Sequence, residues 1–177
     1  MSDDKKFHVA RHDEREVFDR NAINRLLDNQ YVAHVGFIDQ DNQMPFVIPM
    51  GVARDNDRIL LHGSTGSRMM RQIAQGIDLC VTVTQLNAIV VARSAFNSSM
   101  NYESVMIFGK ARVLKEDEKD VALERITTKL VPGLWEYGRG LTKKESAATM
   151  IVELGLEKIS AKARSGDPSD DEEDLDL

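Results

Sequence analysis

The sequence of 177 residues is poor in cysteine and has no long apolar run. Its one cysteine, Cys80, excludes a disulfide within the chain, and its neighbours Leu79 and Val81 favour a buried thiol in a reducing cytoplasm. No apolar run reaches the roughly 18 residues that a membrane-spanning helix requires. Residues 1–6 carry no apolar signal core. We therefore expect a cytoplasmic protein that neither enters a membrane nor is exported.

A surplus of basic residues is also missing. The formal net charge is −6, and residues 167–177 hold seven acids and no base. Outside this segment, 22 acidic residues stand against 23 basic ones, so the remainder is nearly neutral and offers no broad basic face to nucleic acid. We predict one folded domain over residues 1–165 and an acidic tail over 166–177. The tail is expected to aid solubility; the alternative is that it folds over a partner's basic cleft.

Runs with high β-propensity outnumber helical patterns along the chain. Helical periodicity is clear over residues 67–75 and 116–130, and a shorter helix buries Ile23, Leu26 and Leu27. Strands and helices do not alternate regularly, which disfavours a parallel α/β sheet and favours a mostly antiparallel barrel decorated by helices. The predicted strands cover residues 30–38, 45–53, 59–62, 79–84, 88–92, 102–114 and 149–159.

Two features of this pattern suggest a binding site. Pro49 cannot donate to a strand ladder, which predicts a sheet edge or a bulge with backbone free for a ligand. The strand at residues 59–62 then runs through small residues into a helix that starts near Ser67. Backbone N–H groups, the hydroxyls of Ser64 and Ser67, and the Arg68 fork would suit an anion. The alternative is an ordinary N-capped helix, which this stretch taken alone favours, since it matches no known phosphate loop.

Four segments, in this order, resemble the flavin-binding split-barrel family related to pyridoxamine 5′-phosphate oxidase, and most closely its nitroimidazole-resistance branch. They are residues 46–50 (FVIPM), 61–64 with 67–68 (LHGS and SR), 101–109 (NYESVMIFG) and 131–134 (VPGL). The resemblance extends from about Arg11 to Arg164. It implies a mainly β fold with peripheral helices, a six-stranded antiparallel split barrel. It also implies a homodimer with one FMN in each of two clefts between the subunits.

The resemblance further implies which residues contact the cofactor. Ser67 and Arg68 would hold the FMN phosphate, and the backbone around Pro49 would run beside the isoalloxazine ring. Close relatives commonly carry arginine where this chain has Glu103, so a positive contact to flavin or partner is missing. The complete predicted set of cofactor-binding residues is Ile48, Pro49, Met50, Leu61, His62, Gly63, Ser64, Ser67, Arg68, Ser104, Val105, Lys162 and Arg164.

His62 is the one candidate catalytic residue. The imidazole could deliver a proton beside a reduced flavin; the alternative is a histidine that hydrogen-bonds the loop at the end of its strand. No metal site is predicted. His8 and His12 lie four residues apart, a spacing that suits a metal on a helix, but no further ligands stand nearby.

The first functional hypothesis is an FMN-dependent oxidoreductase that reduces a small electrophile, of nitroaromatic or quinone type, with electrons from NAD(P)H. Oxidation of pyridoxamine phosphate is not expected, because the residues of that substrate site are not recognisable. One alternative is a flavin carrier or sensor without turnover. Another is a barrel that binds haem or deazaflavin, with His34 or His62 available to haem. Trp135, Tyr137, Met69 and Met70 are candidate residues of the dimer interface.

Overall fold

Strands carry most of the fold in the computed structural model, which describes residues 7–9 and 11–176. The ends of the predicted lead-in and tail, residues 1–6 and 177, and residue 10 lie outside the described residues. The strands are β1 (Val32–Ile38), β2 (Pro45–Asp55), β3 (Arg58–Ser64), β4 (Leu79–Val90), β5 (Ser99–Gly109), β6 (Arg112–Val113), β7 (Thr149–Gly155) and β8 (Ile159–Arg164). The helices are α1 (Arg20–Asn29), α2 (Arg68–Ala74), α3 (Glu116–Leu130), α4 (Leu134–Tyr137) and α5 (Lys143–Ala148), with short 3-10 turns at Asp13–Arg15 and Glu172–Asp174.

The eight described strands form one antiparallel sheet in the order β6-β7-β3-β2-β1-β4-β5-β8. The sheet curls on itself, because β5 and β7 contact each other although four strands lie between them in this order. A Cβ placed on Gly109, at the end of β5, would lie 3.2 Å from Leu154 of β7. The predicted class, mainly β with peripheral helices, is confirmed. The described sheet has eight strands rather than six.

Three of the predicted strand boundaries were wrong. The two runs at 79–84 and 88–92 form one continuous strand, β4, because a register shift between Leu86 and Ala88 absorbs the polar residue between them. The run at 102–114 stops at Gly109, whose φ of +152° turns the chain before β6 begins. The run at 149–159 ends at Gly155, and the separate strand β8 follows.

The core fills the inside of the curled sheet. Alternate residues of the central strands point inward, including the fully buried Val35, Leu61, Val81 and Val105. Helices α1 and α2 complete this core with six apolar side chains: Ile23, Leu26, Leu27, Met69, Met70 and Ile73. The expectation that Met69 and Met70 lie at an interface was therefore wrong, since both side chains are buried within their own chain.

A second, smaller cluster lies on the outer side of β2, β3 and β7. Helix α3 buries Ala122, Leu123 and Ile126 against this side of the sheet, where Leu60 and Ile151 are also fully buried. Trp135 packs against the same cluster and is half-buried. Strand β3 is consequently covered on both faces. No helix among the described residues is long and apolar enough to cross a bilayer.

The acidic tail contacts the tip of the β4–β5 hairpin of its own chain. The Arg93 backbone N–H donates to Asp170 Oδ1 at 2.8 Å, and the Arg93 guanidinium donates to the carbonyl of Leu175. Asn97 Nδ2 donates to Asp171 Oδ2 at 3.1 Å. The tail is thus placed by contacts within the chain, while the domain boundary near residue 165 stays a prediction.

Candidate functional site

Strand β2 has an open edge beside the corner between β3 and α2. Residues 45–51 of β2 pair with β1 alone, because the pairing of β2 with β3 begins only at Val52, opposite Leu61. Pro49 lies in this singly paired part, opposite His34. This position agrees with the sheet edge that proline predicts. Backbone groups along the edge are therefore available to a ligand.

The corner itself is a short turn of hydroxyl residues. Ser67 is the N-cap of α2, and its Oγ accepts from the backbone N–H of Met70 at 3.4 Å. Ser64 Oγ accepts from the N–H of Gly66 at 3.1 Å. Both oxygens thus cap local backbone, as the alternative of an N-capped helix requires. Each serine hydroxyl can still donate its own proton, because a hydroxyl is both donor and acceptor.

Helix α5 supports the corner through hydrogen bonds that Thr65 donates to its last residue. The Thr65 backbone N–H and hydroxyl both donate to the carbonyl of Ala148, at 2.9 and 3.3 Å. At the start of α5, Thr142 and Glu145 form a reciprocal capping box. The Arg139 guanidinium, which donates two hydrogen bonds to the Glu145 carboxylate, lowers the pKa of Glu145 to about 2. Glu145 is therefore ionised at neutral pH, and the helix that supports the corner is firmly capped.

Arg68 is the charged residue of the corner. Its side chain is 51% exposed, and its Nε lies 3.1 Å from Oδ2 of the buried Asp39. The contact is an ion pair without a directed hydrogen bond, because Asp39 Oδ2 lacks a partner by hydrogen-bond geometry. The guanidinium carbon lies 5.2 Å from the centre of the Phe46 ring, within the range of a cation–π contact. No hydrogen bond of the described residues uses the two Nη groups, which leaves that side of the fork for an anion.

His62 faces the outer side of β3, opposite Ile151 of β7. A Cβ placed on Gly51 of β2 would lie 4.0 Å from His62 Cε1, so the ring lies against the backbone of β2 where its open edge begins. The Nδ1 atom of His62 is buried and has no hydrogen-bond partner among the described residues. The alternative for this histidine was a hydrogen bond to the loop, and Nδ1 forms no such bond among the described residues. A buried polar atom in this state is rare and suggests a missing ligand or water.

A second group of predicted residues lies elsewhere on the outer face. Ser104 of β5 is paired with Lys162 of β8, and Lys162 Nζ donates to the carbonyl of Arg11 at 2.8 Å. Arg164 Nη1 donates to the side-chain oxygen of Asn101. Ser104 and Lys162 line a cavity of about 580 Å³. Its other lining residues were not predicted, because no sequence pattern identifies them. Those lining residues are His8, Val9, Arg11, Thr82, Thr84, Leu86, Met100, Tyr102, Met106 and Ser160.

Two predicted contacts are limited to the backbone. The side chains of Leu61 and Val105 are fully buried in the core, so neither can touch a ligand. Ile48 and Met50 also pack partly against the core. Glu103 lines a small cavity beneath α1, which Ser104 and Lys162 also line.

One chain therefore brings together the residues of β2, β3 and α2, but not those of β5 and β8. Three strands separate β3 from β5 in the sheet, and neighbouring strands lie about 4.8 Å apart, so the groups are roughly 19 Å apart along the sheet. Among the described residues, no group of three or more His, Cys, Asp or Glu side chains could hold a metal ion. His8 instead pairs with Glu16 and His12 with Glu14.

The sequence model of the pyridoxamine 5′-phosphate oxidase family matches residues 19–163, most of the chain. The chain belongs to this family. No curated protein matches it significantly. The family match covers β1 to β7 and most of β8, and therefore includes the open edge of β2 and the corner with Ser67 and Arg68.

Three solved structures resemble the chain to different degrees. The FAD and heme binding protein from Mycobacterium smegmatis is 35% identical, with 92% of this chain and 79% of that chain covered and a TM-score of 0.88. The flavocytochrome Anf3 from Azotobacter vinelandii is 36% identical, with 97% and 79% covered and a TM-score of 0.89. A candidate 5-nitroimidazole antibiotic resistance protein from Bacteroides thetaiotaomicron shares the fold at 19% identity, with 84% and 86% covered and a TM-score of 0.69.

Replacing Gly63 tests whether the corner is closely packed, as its geometry indicates. A Cβ at Gly63 would lie 2.9 Å from Cγ of Met70, a side chain that is fully buried. We expect Gly63→Ala to lower the free energy of unfolding by about 1–3 kcal/mol, the usual cost of overpacking, in urea titrations. In a Met70→Ala background, which removes the clashing atoms, the same change should cost much less. An equal cost in both backgrounds would show that the contact is not the cause.

Proposed function

We propose that the chain binds a flavin nucleotide, with the phosphate at the corner formed by Ser64, Ser67 and Arg68. The isoalloxazine ring then runs along the open edge of β2, next to Pro49 and His62. The single observation that carries this proposal is the unpaired edge of β2 beside a half-exposed arginine whose Nη groups are free among the described residues. Family membership supports it independently.

FMN is the smaller of the two common flavin nucleotides, and we propose it as the ligand of this site. The corner recognises a phosphate next to the ribityl chain, which FMN and FAD share, so either nucleotide fits the same contacts. The Mycobacterium smegmatis relative is named for binding FAD, which supports the larger nucleotide equally. The nucleotide released from the purified protein decides between them.

We further propose that the complete site needs a second copy of the chain. Ser104, Lys162 and Arg164 lie on β5 and β8, and three strands separate β5 from β3 along the sheet, so they do not adjoin the corner of their own chain within it. The outer face between the two groups is apolar and exposed, with Val32 at 49%, Val47 at 66% and Met106 at 39%. Such a patch is typical of a protein interface. A homodimer would bring the corner of one copy to the 580 Å³ cavity of the other.

The proposed activity is the reduction of a small electrophile of nitroaromatic or quinone type. A bound flavin would supply the electron-transfer chemistry between NAD(P)H and the electrophile. The protein's part is to hold the ring against the β2 edge and to provide a proton. We assign that role to His62, because an imidazole is a common general acid and the His62 Nδ1 has no competing partner among the described residues. A flavin carrier without turnover remains the competing proposal for the same site.

Haem binding is a second candidate function. The names of the two relatives with 35% and 36% identity mention heme or a flavocytochrome. His34 is exposed on the outer face and His62 has an unpartnered nitrogen, so either imidazole could act as an axial ligand. A Soret band in the spectrum of freshly purified protein, lost in His34→Ala or His62→Ala, would support this function.

Replacing Arg68 tests the phosphate contact. Purified protein should show flavin absorbance and release FMN or FAD on denaturation. For the apoprotein, Arg68→Ala should raise the Kd of FMN about ten- to a hundredfold, the loss of one or two charge-assisted hydrogen bonds. The Kd of riboflavin, which lacks the phosphate, should change less than about twofold on the same reasoning. Equal weakening of both ligands would place the phosphate elsewhere.

Mixing two variants with weakened binding tests the shared site. Arg68→Ala and Lys162→Ala homodimers should both bind flavin weakly, because each site lacks one predicted cofactor contact. A heterodimer of the two, isolated with two affinity tags, has one site with both defects and one with neither. It should therefore bind about one flavin per dimer at the affinity of the parent protein. Failure to recover a tight site, or a monomeric mass in solution, would contradict the proposal.

Measuring turnover distinguishes the oxidoreductase proposal from the carrier proposal. With NADH or NADPH, the flavin-loaded protein should reduce a nitroaromatic or a quinone. Per bound flavin, His62→Ala should lower kcat by about a hundredfold or more, as expected when a general acid is lost. His12→Ala is the matched control, since the His12 side chain pairs with Glu14 in the N-terminal turn. Reduction of no electrophile by flavin-loaded protein would favour the carrier.

A further inference from the structure

Asp39 is a buried carboxylate next to the candidate phosphate site, and no family motif of the sequence includes it. We propose that Asp39 is a positioning residue, which orients Arg68 so that its Nη groups face the flavin phosphate. This inference rests on the proposed flavin site. It adds a residue from the β1–β2 turn to a site otherwise built from β2, β3 and α2.

The turn holds the Asp39 carboxylate in a fixed place. Oδ1 accepts from the backbone N–H groups of Asp41 at 3.0 Å and Asn42 at 3.3 Å. The Asp39 N–H donates to the carbonyl of Met44 at 2.9 Å, and the Asp39 carbonyl accepts from Gln43 at 2.8 Å. The side chain is fully buried, so Oδ2 has no access to water and faces Arg68. A buried carboxylate requires such a charged partner to be tolerated.

Arg68 is thereby constrained on two sides. Asp39 Oδ2 lies 3.1 Å from Nε, and the Phe46 ring lies under the guanidinium at 5.2 Å. Because the guanidinium is planar and rigid, fixing the Nε edge and one face also fixes where the two Nη groups point. A phosphate contacted by the Nη groups then meets a donor pair that is already oriented.

The direction in which Asp39→Asn changes the affinity for phosphate distinguishes a positioning role from a purely electrostatic one. If Asp39 acted only as a nearby negative charge, Asp39→Asn would remove repulsion and bind a phosphate more tightly. If Asp39 positions Arg68, the same change lets the guanidinium move and weakens binding. The turn itself should survive, because Gln72 ties it to α2 through Gln40 N–H at 3.1 Å and Asp41 Oδ2 at 3.4 Å.

The test measures the Kd of FMN and of riboflavin for the apoprotein by quenching of flavin fluorescence. We expect Asp39→Asn to raise the Kd of FMN about tenfold, which corresponds to the loss of one charge-assisted hydrogen bond between Arg68 and the phosphate. The Kd of riboflavin should stay within about twofold on the same reasoning. In an Arg68→Ala background the change should have no further effect on FMN, because Asp39 acts through Arg68. Thermal unfolding of the apoprotein reports whether the variant is folded.

Phe46→Leu is the second variant, and it serves if Asp39→Asn does not fold. It removes the aromatic face beneath the guanidinium, and we expect the Kd of FMN to rise about threefold with riboflavin unchanged. Tighter FMN binding by Asp39→Asn, or equal weakening of FMN and riboflavin, would overturn the inference and leave the flavin site intact. An equal loss in the Arg68→Ala background, or no change in Phe46→Leu, would do the same. Apoprotein that binds no flavin at all would instead refute the proposed function, and the inference with it.

Discussion

Burial of β3 on both faces is the constraint on which the candidate site depends. Ile59 and Leu61 face the main core, while Leu60 faces the cluster under α3, and none of the three is accessible to solvent. A strand held in this way cannot slip by one residue without exchanging its two apolar faces. The corner that follows it therefore has a fixed position, which the Ala148 carbonyl and the close contact of Gly63 with Met70 secure further.

The site combines this rigid corner with the part of β2 that pairs with only one neighbouring strand. Because β2 pairs with β3 only from Val52 onward, its backbone from residue 45 to 51 faces a gap in the sheet, and the corner stands at the end of that gap. Rigid side chains and an unpaired backbone edge are complementary for a flat ligand with one charged end. The ring can use the edge, and the charged end can use Arg68 and the serines.

The sequence allowed the fold class and the corner to be predicted, because alternating apolar runs and a strand that ends in small residues are local signals. Strand β8 escaped prediction, since Ser160, Ala161 and Lys162 have weak β-propensity and are held by pairing with β5. The joining of β4 across its bulge is likewise a tertiary effect. Asp39 resembled an ordinary turn residue, because its contact with Arg68 spans 29 positions of sequence and no local pattern encodes it.

The contacts between the acidic tail and the tip of the β4–β5 hairpin affect how two copies of the chain can approach each other. The hairpin tip exposes Phe96 at 93% and Val91 at 75%, an apolar projection that could adhere to other chains. Arg93 and Asn97 draw carboxylates of the tail to that tip. Copies that approach tip to tip thus bring like charges together, and this repulsion opposes aggregation in the way that charged gatekeeper residues protect exposed strand edges.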